Sequence, residues 1–432
     1  MSESVLCSAL PNGLRLLAIP MPWRNTLSLS VFVRTGSLHE APTESGISHV
    51  VEHMAFKGTA TRDCQRINLD AELLGAEVNA HTDKDHTAYH MEGLPKDAGA
   101  LIAQLADLVM HGSFPAEELD LERGVIEQEF NEFEDDPVTQ AFQAFDRACY
   151  GDAHAAGRPV IGRRAVLRRL KRRDLLAYVQ RQYTASNVIV AAAGPMDAGA
   201  FKDLQRHVQR AFASMPAGTP NGLRAPAWQG GLQVKRLSGC GQCQVVLGFE
   251  APGLVAARAG ELAHVPHLLA AAVLGEGMSS PLLDELRERR GLAYHAACTA
   301  DISPLMGQLV IEAATSPEQA AELLETVHGL LREQARAIAP EALARARRQL
   351  AVRALRALEQ PSRRMESAVQ DLFCFGRLRD QAAWMKRLEE VSANEVRQVF
   401  VKALKRRPAL ALAGSVPAKV RSRAEVLFFS PT

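Results

Sequence analysis

Two histidines and a glutamate lie within five residues in Ser48-His49-Val50-Val51-Glu52-His53, and their types and spacing are those of a metal-dependent hydrolytic site. On a helix, positions i and i+4 share a face, so His49 and His53 can offer two imidazole nitrogens to one ion. Glu52 falls three residues after His49 on the same side, where it could take a proton from a water without itself ligating. A hydrolytic zinc site of this kind needs a third protein ligand and keeps a fourth position open. The five residues alone do not decide the matter: a chain with 13 His in 432 residues meets H-x-x-E-H by chance in roughly one case in fifty.

The elements that would position these side chains are legible around them. A helical run is expected from near Ser45, ending before Gly58. Residues 13–20 and 26–35 alternate Leu, Val, Ile and Phe as strands do, separated by Pro20-Met21-Pro22. Residues 66–74 read as a helix stopped by Gly75, 77–82 and 86–93 as a strand pair, and 98–111 and 115–134 as long helices. The last of these opens with Pro115 and an acidic first turn, as helix starts prefer. A third ligand is sought there. Glu122 and Glu129 are seven apart, so two turns bring them to nearly one face, and one could ligate while the other supports. Periodicity does not choose between them, because Glu118, Glu122, Glu127, Glu129, Glu132 and Glu134 also read as a plain solvated acidic face.

The pattern then repeats. After a strand at 187–193, the Pro- and Gly-rich stretch 215–231 reads as a linker near the midpoint. Beyond it come strands at 232–237 and 244–250, an apolar helix at 261–274, a strand pair between 292 and 315, several helices and a closing strand at 409–413. The expectation is an α+β fold of two homologous domains, each a mostly antiparallel sheet packed with helices, spanning 1–214 and 232–432. The second copy lacks the H-x-x-E-H, and its His264 and His267 read as ordinary helix histidines.

Composition narrows the function. With 47% hydrophobic and 23% charged residues, and 50 Lys+Arg against 49 Asp+Glu, the chain carries no global basic field for nucleic acid or a membrane surface. No signal peptide and no membrane-spanning apolar run is apparent, so a cytoplasmic location is expected. Seven Cys form no disulfide framework, and Cys240-Gly-Gln-Cys243 lacks a second pair. The Arg-rich stretches 158–173 and 345–364, each expected on a helix, have no interleaved aromatics and read as solvated faces rather than an RNA surface. His81, His86 and His90 invite a second metal, but on a strand pair beside the motif they read as structural or substrate-edge residues.

The segment His49-Val-Val-Glu-His53-Met-Ala-Phe-Lys-Gly-Thr59 resembles the signature of the pitrilysin/insulysin family of zinc peptidases, in the subgroup of the mitochondrial processing peptidase. Gly75-Ala-Glu-Val-Asn-Ala-His-Thr82, Arg123-Gly-Val-Ile-Glu-Gln-Glu129, Gly157-Arg-Pro-Val-Ile-Gly162 and the run from Gly277-Met-Ser-Ser-Pro281 to Arg287 and Gly291-Leu-Ala-Tyr294 resemble that subgroup in the same order. The resemblance implies one Zn2+ per chain on His49, His53 and Glu129, with Glu122 in support and Glu52 as general base. It implies two domains enclosing a chamber, and a peptide or unfolded polypeptide added as a strand along Val78, Asn79, Ala80, His81 and Thr82. Arg287 and Tyr294, seven apart, would steady the reacting carbonyl from the second domain. A homodimer is expected, or a heterodimer with a related subunit. Where the mitochondrial enzyme has acids that read an upstream Arg, this chain has Thr139 and Gln143, which argues against Arg selectivity. The reading from another class is a non-catalytic scaffold or partner subunit, and it is disfavoured by the complete ligand set.

Overall fold

The computed structural model describes residues 5–255 and 262–430. Six strands form the first sheet: β1 (Leu6–Ala9), β2 (Arg15–Pro20), β3 (Leu27–Val33), β4 (Glu77–Thr82), β5 (Thr87–Gly93) and β6 (Val188–Gly194), in the order β1-β2-β6-β3-β5-β4. Only β2 and β6 run parallel; every other neighbouring pair is antiparallel. The second sheet, β7 (Gly231–Arg236), β8 (Cys243–Ala251), β9 (Ala296–Ile302), β10 (Gly307–Thr315) and β11 (Ala409–Gly414), has the order β7-β11-β8-β10-β9, again with one parallel pair, β7 and β11. Strand for strand this repeats β2-β6-β3-β5-β4, so the expected two α+β domains with mostly antiparallel sheets are present. The short strand β1, absent from the sequence reading, is the difference between them.

The central strands are apolar on both faces, and this decides how the chain divides. One face of the first sheet, with Leu16, Leu29, Val31 and Val190, joins the core under helices Ile47–Ala55 and Ala98–His111. The other, with Leu17, Ile19, Phe32 and Ile189, is equally buried and needs its own cover. That cover comes from far along the chain: helix Pro361–Phe375 packs on β2, β3 and β6, with Met365 and Val369 buried. The first compact unit therefore comprises the chain up to Phe130, Arg158–Leu223 and Ala357–Arg377. In the second, helix Pro137–Tyr150 lies on β7, β8 and β11, where a Cβ on Gly248 would come within 2.3 Å of the Phe145 ring. The compact units thus depart from the expected 1–214 and 232–432 division, since each apolar sheet face takes a helix from the other half of the chain. One of their changeovers, between Leu223 and Arg224, lies within the stretch 215–231.

Other expectations shift in detail. The Arg-rich stretch 158–173 is not one helix. It contains the turn-like Arg164–Leu167 and the start of helix Arg172–Gln182, and Arg158 is buried at 3% exposure, donating to the Glu40 carbonyl at 2.6 Å. The stretch 345–364 is broken between helices Pro340–Leu358 and Pro361–Phe375. The apolar helix expected at 261–274 runs Val265–Gly275, with Glu261 outside the described residues.

Helix Ile47–Ala55 begins at a backbone crossing that only glycine permits. Gly46 has φ +96° and Gly162 φ +83°, and a Cβ on Gly162 would lie 2.3 Å from the Gly46 Cα. Gly162→Ala should therefore lower folding stability by about 3 kcal/mol or more, through left-handed strain plus a backbone clash. Gly75→Ala, also at positive φ but with nothing within 4 Å of the new Cβ, should lose only about 1 kcal/mol. Urea unfolding of both variants checks this, and equal losses would mean that the close approach contributes nothing.

Candidate metal centre

The start of helix Ile47–Ala55 carries no side-chain cap of its own, so its first amides need acceptors from elsewhere. Glu40, 5% exposed, supplies them: Oε2 accepts the Gly46 amide at 2.6 Å and Oε1 the Ser48 amide at 2.9 Å. Burial pushes the Glu40 carboxyl up to about 7, while those two amides pull the other way. Tyr178 closes the corner, its hydroxyl 2.7 Å from Ser48 Oγ and 3.0 Å from Thr35 Oγ1. Ile47, Val50, Val51 and Met54 go into the core, which turns His49, Glu52 and His53 outward together as half-buried groups.

Helix Ala116–Asp135 lies against this face and presents both candidate acids, with different tasks. Glu122, 4% exposed, accepts from His53 Nδ1 through Oε1 at 2.8 Å and from Lys57 Nζ through Oε2 at 2.6 Å. A proton held on His53 Nδ1 leaves the Nε2 lone pair bare, the tautomer a metal ligand needs. Glu129, one face-repeat further, places Oε1 3.5 Å from His53 Nε2 and Oε2 3.5 Å from His49 Nε2. The two Nε2 atoms are themselves 3.2 Å apart.

These three distances test the fit to zinc. Zinc ligated at about 2.0–2.1 Å with tetrahedral angles requires donor atoms about 3.3–3.4 Å apart. The 3.2 Å between the two imidazole nitrogens matches that spacing, and the Glu129 carboxylate faces the pair with a different oxygen 3.5 Å from each nitrogen, so one donor atom of each residue lies within 4.8 Å of the others. Burial, then the neighbouring charge of His53, holds the His49 imidazole down at about 3, so it stays neutral at any working pH. The donor set of two neutral imidazoles and a carboxylate suits zinc.

Glu52 sits beside these donors. Its carboxyl is raised above the ordinary range by burial, against the opposing pull of a hydrogen bond from the Thr82 hydroxyl, 2.5 Å from Oε2. Thr82 ends β4, the edge strand of the first sheet, which pairs only with β5 among the described strands. The alternation of β4 turns Val78 and Ala80 toward the core on the Thr82 side, and Asn79 and His81 the other way.

Arg287 and Tyr294 lie in the second unit and are together. Arg287 is in a π-helical turn, Asp284–Arg289, and its guanidinium sits 4.9 Å from the centre of the Tyr294 ring. Tyr294 precedes β9 and is 84% exposed. Gln143 is buried and spends its amide on the Gly157 carbonyl at 2.9 Å, while Thr139 bonds Asp136 at a helix start. Neither is shaped to read an Arg side chain. Glu40, Lys57 and Tyr178 were not found from sequence. For Glu40 the available signal was an acid just before a helix whose first turn has no cap.

Comparison with known proteins bears on the family. A sequence model described as insulinase (peptidase family M16) matches residues 17–162, and one described as peptidase M16 inactive domain matches 169–350. A protein of Mycobacterium bovis named an uncharacterized zinc protease is 32% identical over 436 residues, covering 96% of this chain and 95% of that protein. One of Bacillus subtilis with the same style of name is 32% identical over 321 residues, covering 74% and 76%. The crystal structure of a peptidase M16 inactive domain from Pseudomonas fluorescens superposes with TM-score 0.85 at 19% identity, covering 96% of this chain and 99% of that one. A protease structure from Helicobacter pylori gives 0.84 at 19%, covering 96% and 100%. With its doubled sheet and a family match along most of its length, this chain belongs to the M16 (insulinase) peptidase family.

Proposed function

We propose that the chain is a zinc metalloendopeptidase acting on peptides or unfolded protein segments, with one Zn2+ held by His49, His53 and Glu129. The observation that carries this reading is the convergence of two imidazole nitrogens 3.2 Å apart with a carboxylate that sets one oxygen 3.5 Å from each, beside the half-buried Glu52. A zinc ion there supplies Lewis acidity toward the scissile carbonyl and makes a water easier to deprotonate. Glu52, with its raised affinity for a proton, takes that proton and returns it to the leaving amine. Thr82 holds the base in place from the edge strand, and Glu122 holds His53 in its ligating tautomer. The open side of β4 offers backbone donors and acceptors to an extended substrate, a mode that tolerates varied side chains. The exposed phenol of Tyr294, stacked under Arg287, would stabilise the oxyanion. The homologues' names support the zinc peptidase class. The complete donor set weighs against a scaffold role. The side chains at Thr139 and Gln143 favour a preference other than Arg. Assembly as a homodimer rests on the family resemblance alone.

Purified protein should lose activity to chelators and regain it with zinc. Glu122→Ala should weaken zinc binding by about 10- to 100-fold, the usual cost of losing a ligand's orienting partner. Competition titration against a chromogenic chelator measures this, and unchanged affinity would remove Glu122 from the site.

Glu52→Gln keeps the size of the side chain and removes the base, so turnover should fall by about a hundredfold or more with zinc content unaltered. Near-normal cleavage by a zinc-loaded variant would assign the base elsewhere.

For the second unit, Tyr294→Phe deletes one hydroxyl and should reduce kcat by about ten- to a thousandfold, with zinc content constant. Wild-type kcat in both this variant and Arg287→Ala would mean that the pair contributes no chemistry.

A further inference from the structure

The other face of the β4–β5 hairpin carries a second cluster of metal-binding side chains. His81 is the penultimate residue of β4 and points away from Thr82, Asp83 lies in the connecting turn, and His86 precedes β5. Glu366 comes to the same place from helix Pro361–Phe375, nearly three hundred residues later in the chain. One donor atom from each of the four lies within 4.8 Å of all the others.

The arrangement around His86 is that of an oriented ligand. Its Nδ1 donates to Asp85 Oδ1 at 2.8 Å, which leaves the lone pair on Nε2. That Nε2 is buried without a hydrogen-bond partner and faces Asp83 Oδ2 at 4.0 Å. The His81 ring stands edge-on to it, with centroids 5.5 Å apart. The turn is pinned: the Ser37 and Leu38 amides donate to the carbonyls of Asp83 and Lys84, and a Cβ on Gly36 would meet the Asp83 carbonyl oxygen at 2.2 Å. Two imidazoles exclude a calcium or magnesium preference, and two carboxylates balance a divalent charge. Ligation at about 2.0–2.2 Å needs the donors to close by roughly an ångström, within the reach of the exposed Asp83 and Glu366 side chains.

We propose that His81, Asp83, His86 and Glu366 form a second divalent transition-metal site of the zinc class, which fastens the hairpin bearing Thr82 to the helix that covers the back of the sheet. His90, grouped with His81 and His86 in the sequence reading, is replaced in this set by two carboxylates. The ion at this site holds the edge strand, and through Thr82 the Glu52 carboxylate, without touching substrate.

The two sites are separable by dismantling the first. With zinc alone as the probe, isothermal titration of the His49→Ala/His53→Ala variant should still show one equivalent bound and a zinc-dependent rise in melting temperature. Adding Asp83→Asn and Glu366→Gln should abolish both. Those two exposed substitutions in the otherwise native chain should reduce two equivalents to one. The proposal is overturned if the dismantled variant binds no zinc, or if its binding and melting temperature are indifferent to Asp83→Asn and Glu366→Gln. A native chain that binds a single equivalent, lost on Asp83→Asn and Glu366→Gln, would instead sink the first site and leave this one standing.

Discussion

The site depends on one buried carboxylate. Glu122 is almost wholly removed from water, and a charge in that position is tolerable only when its partners are in place. The His53 Nδ1–H and the Lys57 ammonium are those partners, both on or just past helix Ile47–Ala55. Their pairing fixes the axial register of helix Ala116–Asp135 against the first helix, and the register in turn delivers Glu129 two turns later. A shift by a single residue would leave Glu122 uncompensated and carry Glu129 about 1.5 Å along the helix axis. The same contact therefore sets the tautomer of one histidine and the reach of the third donor.

The position of the first helix is set independently, at its other end. Glu40 collects the amides that the helix cannot satisfy, Tyr178 ties Ser48 to Thr35, and the contact of Gly46 with Gly162 leaves no room for lateral adjustment. The quoted segment Gly157 to Gly162 thus has a structural reason to accompany the histidine motif: Arg158 bonds the Glu40 carbonyl and Gly162 meets Gly46. Preorganisation of this kind matters because two imidazoles 3.2 Å apart and a carboxylate 3.5 Å from each lose their common focus over displacements of about an ångström.

The strand β4 links the two faces of the first sheet. Its alternation puts Thr82 on the side of Glu52 and His81 on the side of helix Pro361–Phe375. Because the sheet is apolar on both faces, that helix has to be there, and it brings Glu366 with it. A segment late in the chain thereby becomes a neighbour of the strand that steadies the base.

Much was legible in the residues themselves. The i, i+4 histidines with an intervening glutamate, the seven-residue spacing of Glu122 and Glu129, and the recurrence of the strand and helix pattern after the linker are short-range periodicities, and local backbone geometry converts them directly into shared faces. What periodicity left open was which of two acids on one face reaches the histidine nitrogens, since that depends on how far one helix slides along another. It also missed the helix exchange, the buried role of Arg158 and the arrival of Glu366 beside His86. Each of these joins segments that no local repeat connects. They were decided only in the tertiary structure, where two-sided apolar sheets must be covered and buried charges must find partners.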